Sequence, residues 1–262
     1  MFQQIKDLFA PLWAPKPKPQ KNTWSNKTAE ERKKIRESWK DTLPEEFDVF
    51  STGNFTLHIG TYTEIIIPGR LYVKGNVKCK NSLVVDEDCT IDGNLNSYDL
   101  NVGGNLFIEG YAKADDILVG GVSDIYGYII ADTIDVLENF TSYGDITCSM
   151  IKSKSSVTIH GDIDCSSKVQ IAGDLDVMCD ASFADTVDVS GNINISGDTS
   201  FEDVNVNGDF MVQGNAKCGN VSVNQNFTVG GDADCYDVDV IGKFTVLGRT
   251  KCESLDVGCL DI

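Results

Sequence analysis

The sequence predicts an all-β fold: a triangular parallel β-helix, or β-solenoid, of about 12 turns with about 17 residues per turn, preceded by a short helical extension. Three observations support this prediction. Apolar residues recur at the same offsets roughly every 17 residues, they alternate with polar residues in short runs, and Gly followed by Asn or Asp separates the runs. Alternation indicates strands with one face buried, and a fixed repeat indicates stacked identical units.

Residues 1–13 are predicted to form a short amphipathic docking helix, which Pro11 limits to about two turns. Its apolar side chains are those of Phe2, Ile5, Leu8, Phe9, Leu12 and Trp13. An apolar helix face has three possible partners: the chain's own solenoid, a groove on a protein partner or a second copy, or a membrane surface. The sequence leaves these three alternatives open.

Residues 14–24 form a linker in which Pro and Lys alternate, a composition that favours an extended and solvated chain. Residues 25–47 are predicted to contain a second helix, with Thr28 and Glu31 as its capping box. The apolar residues assigned to this N-terminal cap are Trp24, Ile35, Trp39 and Leu43. We expect the helix to cover the first turn of the solenoid, since terminal repeats need a cover; a free interaction helix is the alternative.

The solenoid is predicted over residues 48–262. Turn starts are assigned to Val49, Ile65, Leu83, Leu100, Ile117, Ile134, Ile151, Val169, Val187, Val204, Val221, Val238 and Leu255. Counting from these, positions 1, 3, 7, 9, 13 and 15 of each turn face inward, and positions 13 and 15 are expected to be small. Gly with Asn or Asp at positions 5–6 and 11–12 supplies the backbone freedom of two corners.

Nine cysteines occur without CxxC spacing, and most fall at position 15, where they are predicted to be small core residues. Cys89, Cys179 and Cys259 are assigned to other parts of the turn. A stack of cysteines one turn apart also leaves disulfide or metal chemistry open, although parallel side chains disfavour a disulfide. The N-terminus lacks a signal-peptide pattern, so we expect a cytoplasmic protein, with association to a membrane through the N-terminal helix as an alternative.

The charge is divided unevenly along the chain. Residues 1–47 hold ten Lys/Arg and seven Asp/Glu, a net +3, whereas the whole chain carries −18 and residues 48–262 therefore carry −21. So acidic a solenoid is not expected to bind nucleic acid directly, because such binding neutralises phosphates. The acidity serves solubility, or it imitates a polyanion toward a basic partner.

Catalytic motifs are not found. The two histidines, His58 and His160, are far apart in sequence and neither belongs to a nucleophile motif. Neither a Walker loop, HExxH nor GxSxG occurs. We therefore predict a non-enzymatic protein without catalytic, cofactor-binding or metal-binding residues.

The repeated units of alternating apolar residues with Gly and Asn or Asp over 49–262, together with an N-terminal tail carrying an apolar segment, resemble the bactofilins, polymer-forming bacterial cytoskeletal proteins. The resemblance implies a right-handed triangular β-helix, filament formation through the solenoid ends, no nucleotide, and often a membrane-targeting N-terminal peptide. The solenoid here is about twice as long as expected for that family, strongly acidic, and preceded by a predicted cap.

The sequence stops partway into a turn, which predicts an uncovered apolar end. We expect end-to-end self-association, as a dimer or a filament, through Leu255, Val257, Cys259, Leu260 and Ile262. The predicted function is a structural scaffold that self-associates through its ends and tethers a protein partner or membrane through residues 2–13. The alternative is an acidic binding or inhibitory protein that mimics nucleic acid toward a DNA-binding or other basic partner.

Overall fold

The computed structural model describes residues 49–50 and 55–261, and every regular element in these residues is a β-strand. The predicted helices of residues 1–47, with the docking and cap residues assigned to them, lie outside the described part of the chain, as does Ile262. The strands are β1 Val49–Phe50, β2 Phe55–Tyr62, β3 Ile65–Ile67, β4 Leu71–Cys79, β5 Ser82–Val85, β6 Cys89–Ile91, β7 Leu95–Asn96, β8 Asp99–Val102, β9 Leu106–Ile108, β10 Ala112–Lys113, β11 Asp116–Val119, β12 Ser123–Ile125, β13 Ile129–Val136, β14 Phe140–Ser142, β15 Ile146–Ser153, β16 Val157–Ile159, β17 Ile163–Cys165, β18 Val169–Ile171, β19 Leu175–Val177, β20 Ala181–Val189, β21 Ile193–Ile195, β22 Thr199–Val206, β23 Phe210–Val212, β24 Ala216–Val223, β25 Phe227–Val229, β26 Ala233–Val246, β27 Thr250–Lys251 and β28 Ser254–Asp261.

All the described strand pairs are parallel and join residues one turn apart, as a parallel β-solenoid requires. The register pairs Val49 with Ile65, and it continues through every predicted turn start until Val238 pairs with Leu255. The predicted frame of about 12 turns with about 17 residues each is therefore confirmed. Neighbouring strands in such a stack lie about 4.8 Å apart, so each turn adds about that length to the rod.

The third corner of the turn differs from the other two. Between positions 15 and 1 many strands continue without a break, as β13 does from Ile129 to Val136. The 18-residue spacings that follow Ile151 and Val169 arise at this corner: Cys148 pairs with Cys165 at a spacing of 17, but Ile151 pairs with Val169 at 18. A corner without a Gly–Asx pair accommodates one extra residue without disturbing the buried ladders.

The core is a continuous column formed by positions 1, 3, 7, 9, 13 and 15. Phe210, Phe227 and Phe244 stack along position 7, with ring centroids 4.5 and 5.0 Å apart. Position 15 corrects one prediction, because Phe183 and Phe201 occupy it as a stacked and buried pair where small residues were expected. Two aromatic rings one turn apart stack face to face, so position 15 accommodates a large residue when the residue one turn away is also aromatic.

The cysteines away from position 15 occupy three different places in the turn. Cys89 lies at position 7, where it pairs with Leu71 and Leu106 and is buried. Cys179 lies beside a corner and is half-buried, and Cys259 is exposed, as expected from their places in the turn.

Candidate interaction surfaces

The interior of the solenoid is fully used by packing. The cysteines of position 15 lie in the core column, and all nine cysteines are free. Burial raises the pKa of Cys89 to about 12 and that of Cys79 to about 11, so these thiols are neutral at physiological pH. Among the described residues no three His, Cys, Asp or Glu side chains form a group suited to a metal ion.

The first corner is held by side chains that bridge successive turns. The Oδ1 atom of Asp174 accepts a hydrogen bond from the backbone N–H of Asn192 at 2.7 Å, and Asn192 accepts one from Asp209 at 2.9 Å. Asp209 in turn accepts from the N–H of Asn226 at 3.0 Å. The Asn and Asp at position 6 were predicted as turn residues, and they also satisfy the corner N–H of the following turn.

The second corner contains a row of four carboxylates, which we call the carboxylate row: Asp145, Asp162, Asp180 and Asp198. Their side chains are exposed. Each accepts a hydrogen bond from the N–H of the next row position at 2.7–3.0 Å, the last from Asn215. The backbone donors hold the carboxylates one turn apart, although like charges in register repel one another.

Two turns beyond the carboxylate row, an ion pair closes the same corner. Arg249 donates from its backbone N–H to Oδ1 of Asp232 at 2.8 Å and from Nε to Oδ2 at 3.0 Å. The hydrogen bonds from Arg249 lower the pKa of the Asp232 carboxyl group. In the described part of the chain, the last carboxylate of this corner, that of Asp232, is therefore paired with the guanidinium group of Arg249.

The last described turn exposes residues from inward positions. Leu255, Val257 and Leu260 pair with Val238, Val240 and Phe244, so they continue the ladders of positions 1, 3 and 7. Leu255 is nevertheless 38% exposed and Leu260 43% exposed, whereas the residues they cover are at most 2% exposed. In the described residues β28 pairs with β26 alone, so its outer edge has free backbone donors and acceptors.

Two neighbouring side chains, not anticipated from the sequence, enlarge this apolar end. Ile241 and Leu247, at corner positions 4 and 10 of the preceding turn, are 68% and 77% exposed. Cys259 pairs with Lys243 at a corner position, so it lies at the rim and not on a core ladder. We call the group Ile241, Leu247, Leu255, Val257 and Leu260 the end surface.

A second exposed surface lies midway along the solenoid, and the sequence reasoning missed it. Tyr126, Tyr143 and His160 stack at position 10, with ring centroids 4.3 and 4.7 Å apart. On the other side of the corner glycine, Tyr111 and Tyr128 stack at position 12 with centroids 4.9 Å apart. A search for identical exposed residues 17 apart would have found both rows. We call these five residues the aromatic edge.

The rings of the aromatic edge are linked to charged neighbours. The Nζ atom of Lys113 lies 5.6 Å from the ring centroid of Tyr111 and 5.4 Å from that of Tyr128, a cation–π geometry. A hydrogen bond with Tyr126 raises the pKa of the Tyr143 hydroxyl, and the nearby Asp124 charge adds to the shift. His160, one of the two histidines, is part of this stack.

The described residues thus offer two surfaces suited to association. The two surfaces are apolar patches on an otherwise acidic rod, and such patches mark interaction sites. Within residues 49–50 and 55–261, no helix has the length and apolar character needed to span a bilayer.

Comparison with known proteins relates part of the repeat to one family. The family model of the bactofilins, described as polymer-forming cytoskeletal proteins, matches residues 149–251. The solenoid is bactofilin-like. Neither the curated proteins nor the solved structures gave a match to the chain.

The bactofilin match agrees with the resemblance seen in the sequence and with the parallel solenoid of the structure. The matched family is described as polymer-forming and cytoskeletal, which is a structural role. The matched segment begins after Tyr143 and ends before Leu255. Leu255, Val257 and Leu260 of the end surface and most of the aromatic edge therefore lie outside the match, whereas Ile241 and Leu247 lie within it.

Proposed function

We propose that this chain is a scaffold that self-associates through the end surface and tethers a second component through residues 2–13. The observation that carries the proposal is the exposure of Leu255 and Leu260, which stand on core ladders and have no cover on their outer side in the described residues. The polymer-forming character of the bactofilin family supports association between copies.

The end surface suits pairing with a second copy. A two-fold axis at the end of the rod would set β28 of one copy antiparallel to β28 of another, so that the free donors and acceptors of both edges are satisfied. The same contact would cover Leu255, Val257 and Leu260 with their counterparts. Burial of apolar surface at about 25 cal/mol per Å² then adds to the strand pairing.

A two-fold contact at one end joins two rods, so a longer polymer needs a second contact. That contact would involve the opposite end of the solenoid, where residues 25–47 are predicted to form a cap, with Trp24, Ile35, Trp39 and Leu43. A cap that stays in place would stop growth at the dimer, and a cap that opens would permit filaments. The state of these residues thus decides between the two assemblies.

Electron microscopy of the full chain tests the scaffold. Wild-type protein should form dimeric rods or filaments, and Leu260→Lys should leave single rods. Met211→Lys is the matched control, since Met211 is also 43% exposed but lies within the stack. Single rods in the wild-type sample would contradict the proposal.

The tether is tested separately in the native host. Deletion of residues 1–20 should abolish localisation or capture of the partner while leaving the assemblies seen by microscopy unchanged. Binding of the full chain to anionic vesicles distinguishes a membrane from a protein partner. Unchanged localisation after the deletion would refute the tether but not the scaffold.

A second candidate is favoured by the carboxylate row, which presents four exposed acidic side chains at regular spacing. Such a row suits a basic groove that normally holds nucleic acid, so the chain would act as a binding or inhibitory mimic. A stoichiometric, salt-sensitive complex with a basic protein would support this role. Loss of that complex in a variant with Asp162→Asn and Asp180→Asn would locate it at the row.

A further inference from the structure

We propose that the aromatic edge is the docking surface for residues 2–13 of the same chain. Three of its side chains, those of Tyr126, Tyr128 and Tyr143, are 40–47% exposed. Met178, at position 10 of the turn after His160, and Ile130, two residues after Tyr128, are exposed to a similar degree. Monomeric soluble proteins keep such patches small, so a patch of this kind indicates an occupant.

The stacking of the rings favours a peptide over a flat ligand as the occupant of the edge. A base or a sugar binds an aromatic residue by lying on its open face. At this edge the central ring has no open face, because Tyr143 lies between Tyr126 and His160 at 4.3 and 4.7 Å. Stacking also covers one face each of Tyr111 and Tyr128, and the ring of Phe107 lies tilted against Tyr126 at 5.4 Å. The edge therefore presents mainly ring edges and hydroxyl groups, which suit apolar side chains of a peptide better than a flat ligand.

The charge around the edge favours the N-terminal segment over a second copy of the solenoid as the occupant. Glu109, Asp124, Asp145 and Asp162 border the edge, and a second solenoid would bring the same acidic border against them. Residues 1–47 instead carry a net +3, with Lys16, Lys18 and Lys21 following the apolar residues. Lys113 already places its ammonium group over Tyr111 and Tyr128, so the rings of this edge attract lysine.

The length of the chain permits docking within one molecule. Thirty-five residues separate Trp13 from Val49. Tyr126 and Tyr143 lie in the fifth and sixth turns, about 20–25 Å along the rod from the first turn at about 4.8 Å per turn. Thirty-five residues span about 50 Å even if wholly helical, so the segment reaches the edge in any regular conformation.

The segment and the edge therefore match in apolar character, charge and reach. Docking would cover Phe2, Leu8, Leu12 and Trp13 while the tether has no other partner, and release would expose them. The inference does not depend on the proposed scaffold, because docking within one chain needs no second copy.

The sequence supplies a reporter for this contact. The three tryptophans are Trp13, Trp24 and Trp39, so the described solenoid contains none. In full-length protein carrying Trp24→Phe and Trp39→Phe, Trp13 is the sole tryptophan. We expect its fluorescence to be shifted to the blue and poorly quenched by acrylamide, with energy transfer from the tyrosines of the edge.

Substitution of the edge tests the contact. Adding Tyr126→Ser and Tyr143→Ser should shift the emission of Trp13 to the red and increase its quenching several-fold. Tyr236→Ser is the control, because Tyr236 is 53% exposed but lies at another corner several turns away. The double variant Leu8→Ser and Leu12→Ser should shift the emission of Trp13 and increase its quenching to the same extent. Combining this double variant with Tyr126→Ser and Tyr143→Ser should change neither quantity further. Far-ultraviolet circular dichroism confirms that each variant keeps the solenoid.

Other occupants give other results, and each overturns the proposal. Protection of Trp13 that disappears on dilution would assign the edge to the segment of a second copy. A Trp13 that is exposed in the chain alone but protected by anionic phosphatidylglycerol vesicles would assign the segment to a membrane. Protection that survives the edge substitutions would place the segment elsewhere on the solenoid.

Discussion

The Asp180 carboxylate accepts a hydrogen bond of 2.8 Å from the backbone N–H of Asp198, the residue at the same position one turn further along the solenoid. Asp162 makes the corresponding contact with the N–H of Asp180 at 3.0 Å. The same side chains thus stabilise the corner through hydrogen bonds and destabilise it through repulsion between like charges. Substitutions can separate these two effects.

Asp180→Asn keeps the acceptor oxygen and removes one negative charge from the carboxylate row. We expect it to raise the free energy of unfolding by about 0.5–1 kcal/mol at low ionic strength, and we expect the gain to shrink with added salt. Asp180→Ala also loses the hydrogen bond and should lower stability by about 1–2 kcal/mol. Urea unfolding measures both, and equal effects of Asn and Ala would contradict the hydrogen-bonding role.

Gly208→Ala should destabilise the first corner. A Cβ atom at residue 208 would lie 2.3 Å from Oδ1 of Asn192 and 2.7 Å from the carbonyl oxygen of Gly191. The corner would have to move, and with it the hydrogen bond from the N–H of Asp209 to Asn192. We expect a loss of about 1–3 kcal/mol in urea unfolding. Gln213→Ala, an exposed substitution in the same turn, should stay within about 0.5 kcal/mol of wild type.

Two buried serines provide a matched pair. The hydroxyl group of Ser123 is buried and has no hydrogen-bond partner, so Ser123→Ala should stabilise the solenoid by about 1 kcal/mol. The hydroxyl group of Ser142 donates to the carbonyl oxygen of Gly144 at 2.9 Å, so Ser142→Ala should destabilise it by about 1 kcal/mol. Thermal unfolding should give a higher melting temperature for Ser123→Ala and a lower one for Ser142→Ala. A shift of the same sign in both variants would refute the proposed difference in hydrogen bonding.

The fold was predictable because the interior obeys a strict repeat. Each buried ladder requires an apolar residue at a fixed offset, so the turn starts from Val49 to Leu255 could be placed without coordinates. Exposed positions escape this constraint, since an acidic residue and a tyrosine are equally compatible with a corner. Position 10, for example, holds Glu109 in one turn and Tyr126 in the next. The interior repeat therefore did not reveal the aromatic edge, although a search for tyrosines 17 residues apart would have found its two rows.

The end surface was predictable for a different reason. Leu255, Val257 and Leu260 follow the inward pattern, so their exposure depends only on whether another turn covers them. Ile241 and Leu247 were missed because they occupy corner positions. The interior pattern does not predict which corner residues are apolar and exposed, and the structure shows that these two side chains are.

Alkaline pH should unfold the protein through its buried thiols. The pKa of Cys89 rises from 9.0 to about 12 on folding, so the folded state holds the thiol proton more tightly than the unfolded state does. This stabilisation is complete below about pH 9 and is lost as the pH rises toward about 12. Urea unfolding under reducing conditions should show the decline, and Cys89→Val should make it shallower. An equally steep decline in Cys89→Val would exclude this thiol as a cause.

Self-association through the end surface is the central claim, and sedimentation velocity of the full chain at micromolar concentration tests it most directly. The wild-type chain should sediment as a dimer or larger species, and Leu255→Lys with Leu260→Lys should sediment as a monomer. Met211→Lys, with equal exposure within the stack, should behave as wild type. A wild-type chain that sediments as a monomer, or assemblies that persist in the end-surface variant, would contradict the claim.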